Sequence, residues 1–185
     1  LEASLDPVAA GLAQRGAGYY QVAYGTTGGN QRVAIMYDLD WVRAKDDITE
    51  LFGKGQVKTP EGKEVFWRLP LRAYLTVLSE VTEPFDFQLV GVHLKSQRGG
   101  GDTQRKLAAE RLGKWLDGDA QLVDADVMIM GDWNAPPDAP AWRAFHDLEG
   151  AGRARFRSIN TKSAISHFYF KNKQRIGSRL DLVAL

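Results

Sequence analysis

The chain has 185 residues, a net charge of +1 and a hydrophobic fraction of 44%, which is the composition of a globular protein with a sizeable core. It contains no cysteine, which excludes disulfides, thiolate zinc sites and cysteine nucleophiles and fits either the cytosol or the exterior. The longest apolar runs are far shorter than the roughly 20 residues of a membrane-spanning helix. We therefore expect one soluble domain over residues 1–185.

The first third of the chain predicts a helix and then a β-hairpin. Asp6-Pro7 is typical of a helix start, and Gly16 marks the end of this helix. Residues 19–24 and 32–37 have the character of strands and are joined by the turn GTTGGNQ, so they predict the hairpin. Residues 46–64 are polar and irregular, with a hairpin turn at TPEG.

The rest of the chain alternates between strands and helices. Strands are predicted over residues 69–77, 85–94, 127–131, 165–170 and 179–185. Helices are predicted over residues 103–116 and 139–147. Strands in hairpins with a few helices between them indicate a mixed α/β protein, in which two packed sheets are covered by helices.

The segment MIMGDWNAPPD leads an apolar strand into an acid and an amide two residues apart. Period-two spacing predicts that Asp132 and Asn134 point to the same side of the sheet edge. An acid and an amide held together can hold a metal-bound water and orient a phosphate. An Asp/Asn turn that caps the end of a strand is the structural alternative.

Three further polar residues lie at or within apolar strands. His93 ends the strand GVHLKS, His167 lies in ISHFYF, and Asp181 lies in SRLDLV. An acid inside an apolar strand is costly unless it is paired, hydrogen-bonded or bound to a metal. Together with Asp132 and Asn134 these residues indicate an oxygen-rich active site, which suits Mg²⁺, Mn²⁺ or Ca²⁺ better than zinc.

Basic residues are concentrated near the end of the chain. Residues 151–180 contain eight Lys or Arg and no Asp or Glu, with several aromatic residues among them. Cations mixed with aromatic rings can suit a polyanion with bases that stack, so a nucleic-acid partner is one interpretation of this stretch. A solvated basic face around one buried strand is the alternative interpretation.

Three motifs in chain order, GVHLKS, MIMGDWNAPPD and SRLDLV, resemble the endonuclease/exonuclease/phosphatase superfamily. The segments QRVAIMYD and RLPLRAYL also resemble its bacterial members, and the resemblance spans roughly residues 17–185. It implies the DNase I-like fold, a four-layer α/β sandwich in which two mixed sheets are flanked by helices. It also implies a Mg²⁺-dependent hydrolase of phosphate esters.

The resemblance implies a role for each matching residue. His93 corresponds to the histidine that contacts the phosphate, and Asp132 to the residue that orients or deprotonates the attacking water. Asn134 corresponds to the amide that stabilises the transition state, and Asp181 to an acid that supports the site. The residues expected to contact substrate are His167, Arg68, Lys95 and Arg105.

The chain departs from the family pattern at both ends. The family begins with a strand ending in Asn and a second strand whose Glu binds the metal, and Glu2 is the nearest match to that ligand. The family closes with Ser-Asp-His, which does not occur before Leu185. The expected domain is therefore incomplete at both ends.

Three functions follow from these observations. The first is a Mg²⁺-dependent nuclease acting on DNA or RNA, and the second is a phosphatase or lipid phosphodiesterase on the same fold. A lipid enzyme should expose membrane-binding loops, for which Trp41 and Trp142 are the only candidates. The third is an inactive fold used for binding.

Overall fold

The computed structural model describes residues 4–79, 83–97, 100–136 and 139–152, and the backbone of three strands within 167–184. The helices are α1 (Asp6–Gln14), α2 (Asp102–Asp117) and α3 (Arg143–Gly150), with short 3₁₀ helices at Gly29–Gln31, Asp119–Leu122 and Pro140–Trp142. The strands are β1 (Tyr20–Tyr24), β2 (Ala34–Asp38), β3 (Val42–Ala44), β4 (Thr49–Glu50), β5 (Leu71–Val77), β6 (Phe85–His93), β7 (Val127–Asp132), β8 (His167–Lys171), β9 (Gln174–Ser178) and β10 (Asp181–Ala184).

The central sheet has six strands. Its order is β10-β7-β6-β5-β3, and the short β4 also pairs with β5. Among the described strands only β6 and β7 run parallel, and α2 lies in the crossover that connects them, as parallel neighbours require. Two separate hairpins, β1-β2 and β8-β9, complete the described strands.

Successive side chains of β5 and β6 point to opposite faces of the central sheet, so the core is divided into two clusters. Leu71, Ala73 and Leu75 face the β1-β2 hairpin, where they meet Val33 and Ile35. The opposite face packs against α2 and the aromatic residues at and after Pro140–Trp142. The main residues of that second cluster are Val90, Val92, Ala109, Leu112, Trp115, Ile129, Trp133, Trp142 and Phe145.

Four layers result from this packing. Helix α1 lies against β1, the hairpin lies against the central sheet, and α2 and α3 cover the other face. The prediction of two packed sheets flanked by helices is therefore confirmed. Among the described helices, none is both long and apolar enough to cross a membrane.

The predicted elements all appear, but the structure adds strands that the sequence did not predict, among them the short β3 and β4, of which β4 lies in the stretch expected to be irregular. The segment QRIGS, Gln174–Ser178, forms β9, which the sequence did not predict because it lacks apolar alternation. The helix predicted over residues 139–147 divides into a 3₁₀ turn at Pro140–Trp142 and α3. Within the basic stretch, residues 153–166, 172–173 and 179–180 lie outside the described residues.

Candidate active site at the ends of β6 and β7

The parallel pairing of β6 and β7 brings the last residues of both strands side by side. His93 and Asp132 are register partners, and His93 Nε2 lies 3.6 Å from Asp132 Oδ2. Their side chains are 29% and 34% exposed, so solvent and a ligand can reach both. An imidazole beside a carboxylate at an open sheet edge is an arrangement suited to proton transfer.

Gly131 permits this close register immediately before Asp132. Its φ is +135°, and a Cβ built on it would lie 2.1 Å from the carbonyl oxygen of Val92. Val92 and Gly131 are register partners, so a side chain at position 131 would push β7 away from β6. The glycine of the Gly-Asp-x-Asn motif therefore sets the distance between the two strands that carry His93 and Asp132.

Asn134 does not continue the strand, which corrects the expectation that period-two spacing aims it alongside Asp132. The strand ends at Asp132, and Asn134 has a φ of +50°. Its backbone N–H donates to Asp132 Oδ1 at 2.9 Å, while its Nδ2 donates to the carbonyl of Leu94 at 3.1 Å. The motif is an Asp-initiated turn that buries the amide against the loop after β6.

Trp133 anchors this turn from the opposite side. It is 1% exposed and packs against Trp142 and Phe145, with ring centroids 4.4 and 5.7 Å away. Because the indole is fixed in the core, the residues on either side of it are held at the sheet edge. The apolar residue between Asp132 and Asn134 thus serves to position both.

Arg68 enters the site from the loop before β5. It is 9% exposed, and its guanidinium donates to the carbonyl of His93 at 3.4 Å and to the side chain of Gln31. Its buried Nε has no hydrogen-bond partner, and none of the ion pairs among the described residues includes it. Burial lowers the pKa of Arg68, and the charge of Asp132 opposes that shift.

The loop Gly25–Gly29 holds Arg68 in place. A Cβ on Gly28, whose φ is +92°, would lie 2.6 Å from Arg68 Cγ, so the arginine stem needs a glycine there. Glu50 fixes the loop by accepting hydrogen bonds from the backbone and hydroxyl groups of Thr26 and Thr27 at 2.6–2.9 Å. Burial raises the pKa of Glu50, but these four bonds outweigh it and lower the pKa.

A cavity of about 260 Å³ opens beside Arg68 and His93. Lys95, which follows β6, also lines it, so the structure brings together three of the residues that the sequence assigned to phosphate binding. Glu64 is the acidic residue in the lining, and the two cations and the imidazole outnumber it, so the cavity favours an anionic ligand.

The structure corrects the expectation that Arg105 contacts substrate. It is 5% exposed, its Nη1 donates to the carbonyl of Lys95 at 2.8 Å, and its Nη2 pairs with Asp102. These bonds tie the start of α2 to the loop after β6. Arg105 therefore positions Lys95 and does not line the cavity.

The remaining predicted residues are placed by backbone alone or lie outside the described residues. Asp181 begins β10 and is the register partner of Asp132, so β6, β7 and β10 bring three predicted residues to one edge. His167 begins β8 and is paired with Ser178 of β9. Glu2 lies outside the described residues.

The described residues contain no group of three or more His, Asp or Glu side chains able to hold a metal ion. At the sheet edge they supply one carboxylate, that of Asp132, next to His93 and the buried amide of Asn134. A divalent cation such as Mg²⁺ needs more oxygen ligands than this set provides. The described part of the site does not by itself fit such a cation.

Two residues at the cavity were not predicted from the sequence. Gln31 accepts a hydrogen bond from Arg68, and Trp67 is 57% exposed beside it. The sequence did contain a hint for Trp67, because its segment VFWRLP is apolar apart from Arg68. An aromatic ring in such a segment can lie either in the core or at a site, and only the fold shows which of the two applies.

No protein-family model matches the sequence, and no curated protein matches it. Solved structures match in fold. The human Nocturnin catalytic domain with bound sulfate has a TM-score of 0.57 at 14% identity, over 98% of this chain and 63% of that one. The endonuclease domain of TRAS1, a telomere-specific non-LTR retrotransposon, has a TM-score of 0.54 at 14% identity, over 96% and 76%.

A third structure is ANGEL2, a 2′,3′-cyclic phosphatase, in complex with adenosine-2′,3′-vanadate. Its TM-score is 0.58 at 13% identity, over 97% of this chain and 65% of that one. The chain thus spans less than two thirds of the Nocturnin and ANGEL2 structures. Together with the four layers described above, these likenesses define the class of protein by its architecture: a DNase I-like α/β sandwich. The particular architecture is that of endonuclease/exonuclease/phosphatase proteins, as the motifs implied.

Proposed function

We propose that this protein hydrolyses phosphodiester bonds and acts as a nuclease on DNA or RNA. The observation that carries the proposal is the buried guanidinium of Arg68, which has no carboxylate partner among the described residues. It opens on the same cavity as His93 and Lys95. Asp132 is the charge that acts on this buried cation, but no carboxylate among the described residues pairs with it directly, so a bound phosphate would offset the free-energy cost of its burial.

The geometry supports an in-line attack of water on phosphorus. Arg68 and Lys95 would hold the non-bridging oxygens, while His93 donates a hydrogen bond to the charge that grows on them. Asp132 would orient the water and take its proton as the new P–O bond forms and the bond to the leaving oxygen breaks. Asn134 retains one amide N–H beyond its bond to Leu94 and would donate it to the phosphate.

The proposed cofactor is Mg²⁺, or Mn²⁺ or Ca²⁺, which would act as a Lewis acid on the phosphate. Asp132 is the described residue whose chemistry suits such a cation, and we propose Glu2 as the metal ligand that adds the carboxylate the described site lacks. Asp181 is proposed to support the site from β10, opposite Asp132 in register. His167 is proposed as a further substrate contact.

Two structural neighbours favour nucleic acid as the substrate class. One is described as an endonuclease domain, and another binds a vanadate of adenosine as a 2′,3′-cyclic phosphatase. The basic and aromatic stretch at residues 151–180 suits the same polyanion. A phosphatase, a lipid phosphodiesterase and an inactive binding module are the outcomes against which the nuclease is tested.

The test is cleavage of end-labelled single-stranded DNA, single-stranded RNA and duplex DNA, with p-nitrophenyl phosphate and a phosphoinositide headgroup as alternative substrates. We expect cleavage of at least one nucleic acid in Mg²⁺ and none in EDTA. Asp132→Asn should lower kcat by about 10³-fold because it removes the proton acceptor.

Asp147→Asn is the matched control, since Asp147 is an exposed carboxylate on α3 whose side chain is 69% accessible. It should cleave at the rate of the unaltered protein. A folded protein that leaves every nucleic acid intact would contradict the nuclease. Hydrolysis of the phosphatase or headgroup substrate alone would assign the alternative enzyme, and no hydrolysis at all would favour the binding module.

A further inference from the structure

Trp67 is exposed in a segment that is otherwise buried. Its neighbours Val65, Phe66, Arg68 and Leu69 are 3–9% exposed, whereas the indole is 57% exposed. Residues on both sides of Trp67 are fixed in the core, so its ring is held at the surface by a rigid backbone. Leaving a large aromatic side chain in water costs free energy, and its surroundings show whether it could bind a ligand.

The ring stands between two cavities. It lines the cavity of about 260 Å³ that also contains Arg68, His93 and Lys95. It also lines a second cavity, of about 660 Å³, whose walls include residues 26–29, Glu50 and Lys54. Trp67 is therefore the shared wall between the proposed phosphate pocket and a larger groove.

The chemistry around the ring matches a nucleotide. The guanidinium carbon of Arg68 lies 4.9 Å from the Trp67 ring centroid, so a cation covers part of one face while much of the ring remains in solvent. An aromatic heterocycle can stack on the remaining surface beside a phosphate held by Arg68. Lys54 is exposed and lines the second cavity, where it would offer a cation to a further phosphate of a strand.

We propose that Trp67 is the stacking platform for the nucleobase next to the reacting phosphate, and that the substrate is single-stranded nucleic acid. This inference rests on the proposed function, because it assigns the substrate class of the same site. A base inside a duplex is covered on both faces by its neighbours, so only an unstacked base reaches the indole. Neither p-nitrophenyl phosphate nor an inositol headgroup carries a nucleobase for the ring to bind.

The test is an affinity comparison between two labelled oligomers of equal length. One is oligo(dT), and the other has the same phosphates with abasic sugars. Measurements by fluorescence anisotropy use Asp132→Asn as the parent, to prevent turnover. The parent should bind oligo(dT) about 10-fold more tightly than the abasic oligomer, because only oligo(dT) offers a base that can stack on the indole.

Trp67→Ala should abolish that difference by weakening oligo(dT) alone, and Trp67→Phe should restore most of it. Trp41→Ala is the matched control, because Trp41 is 64% exposed but lies before β3, which pairs with the far end of β5. It should bind both oligomers like the parent. Circular dichroism confirms that each variant is folded.

Equal affinity of the parent for both oligomers would contradict the role of Trp67 as a stacking platform. An equal loss of affinity for both oligomers in Trp67→Ala would contradict it as well. Tighter, Trp67-dependent binding of duplex DNA would overturn the assignment to single strands. Failure of the proposed function is separate: the unaltered protein would then cleave neither oligo(dT) nor RNA, whatever its affinities. Equal cleavage of the abasic oligomer would leave the nuclease intact and remove the platform.

Discussion

Arg68 and Arg72 lie four residues apart around the start of β5, and both are largely buried, yet their surroundings differ in kind. Arg72 Nη1 donates to Asp46 at 2.9 Å, and its Nε donates to Gln88 Oε1 at 2.8 Å. Gln88 is fully buried and in turn donates to the carbonyls of Ala120 and Asp124. Arg72 thus belongs to a network that ties the chain after α2 to the sheet.

Arg68 has only neutral hydrogen-bond acceptors, the carbonyl of His93 and the side chain of Gln31, while the charge of Asp132 acts on it without such a bond. Each arginine has one buried nitrogen without a hydrogen-bond partner, Nε of Arg68 and Nη2 of Arg72, so the difference between them lies in the ion pair with Asp46. A buried arginine that stabilises a fold is neutralised by the fold, as Arg72 is by Asp46. A buried arginine left without a carboxylate is suited to an anion from outside, which is why the two residues should respond to substitution in opposite ways.

The largest expected effect separates the two arginines directly. Arg68→Met should lower kcat/KM by about 100-fold, because it removes a charge that stabilises the phosphate, with little loss of stability. Arg72→Met should leave kcat/KM unchanged and lower the free energy of unfolding by about 1–3 kcal/mol, because Gln88 Oε1 would remain buried without a donor. Urea denaturation and steady-state cleavage measure the two quantities, and similar losses of activity in both variants would erase the contrast.

A smaller effect is expected from moving Arg68 without removing it. Gly28→Ala would place a Cβ against Arg68 Cγ, whereas a Cβ at Gly29 meets nothing within 4 Å. Both glycines have positive φ, so both substitutions strain the loop, but only Gly28→Ala displaces the guanidinium. We expect a loss of about 10-fold in kcat/KM for Gly28→Ala relative to Gly29→Ala. Equal activities would show that the arginine tolerates the shift.

The smallest effect concerns the carboxylate that holds the loop. Because the folded pKa of Glu50 is lowered, its contribution to stability is present above the unfolded pKa and is lost as pH falls through the folded value. The stability difference between the unaltered protein and Glu50→Gln should therefore be full at neutral pH and shrink below about pH 4.5. Thermal unfolding from pH 7 to pH 3 measures it, and a difference that grows on acidification would contradict the assignment.

Much of the fold could be predicted from the sequence, because the alternation of apolar and polar residues and the positions of turn residues indicated the same elements. The β1-β2 hairpin, the buried face of β5 and the helix α2 all appear where the patterns predicted them. His93 and Asp132 were expected in one site, but their register pairing was not predicted, because a register between residues that are 39 positions apart leaves no local signal.

The errors have physical causes. Asn134 was expected to alternate with Asp132, but an acid side chain can bond to the backbone two residues later and end the strand. Arg105 was expected to contact substrate because it is basic and near the site, but helical position does not reveal that its guanidinium bonds inward. Whether Trp67 is exposed or buried depends on which face of its loop points outward, and composition does not determine that.

Gly131 has a consequence for how the sequence can vary. The obstacle to a side chain at this position is the carbonyl oxygen of Val92, a backbone atom that no compensating substitution can shrink. In a saturation library screened for folded protein, we would see every codon at position 131 depleted except those for glycine, whatever residues surround it. The neighbouring Met130, whose side chain is 40% exposed, should accept most replacements in the same screen.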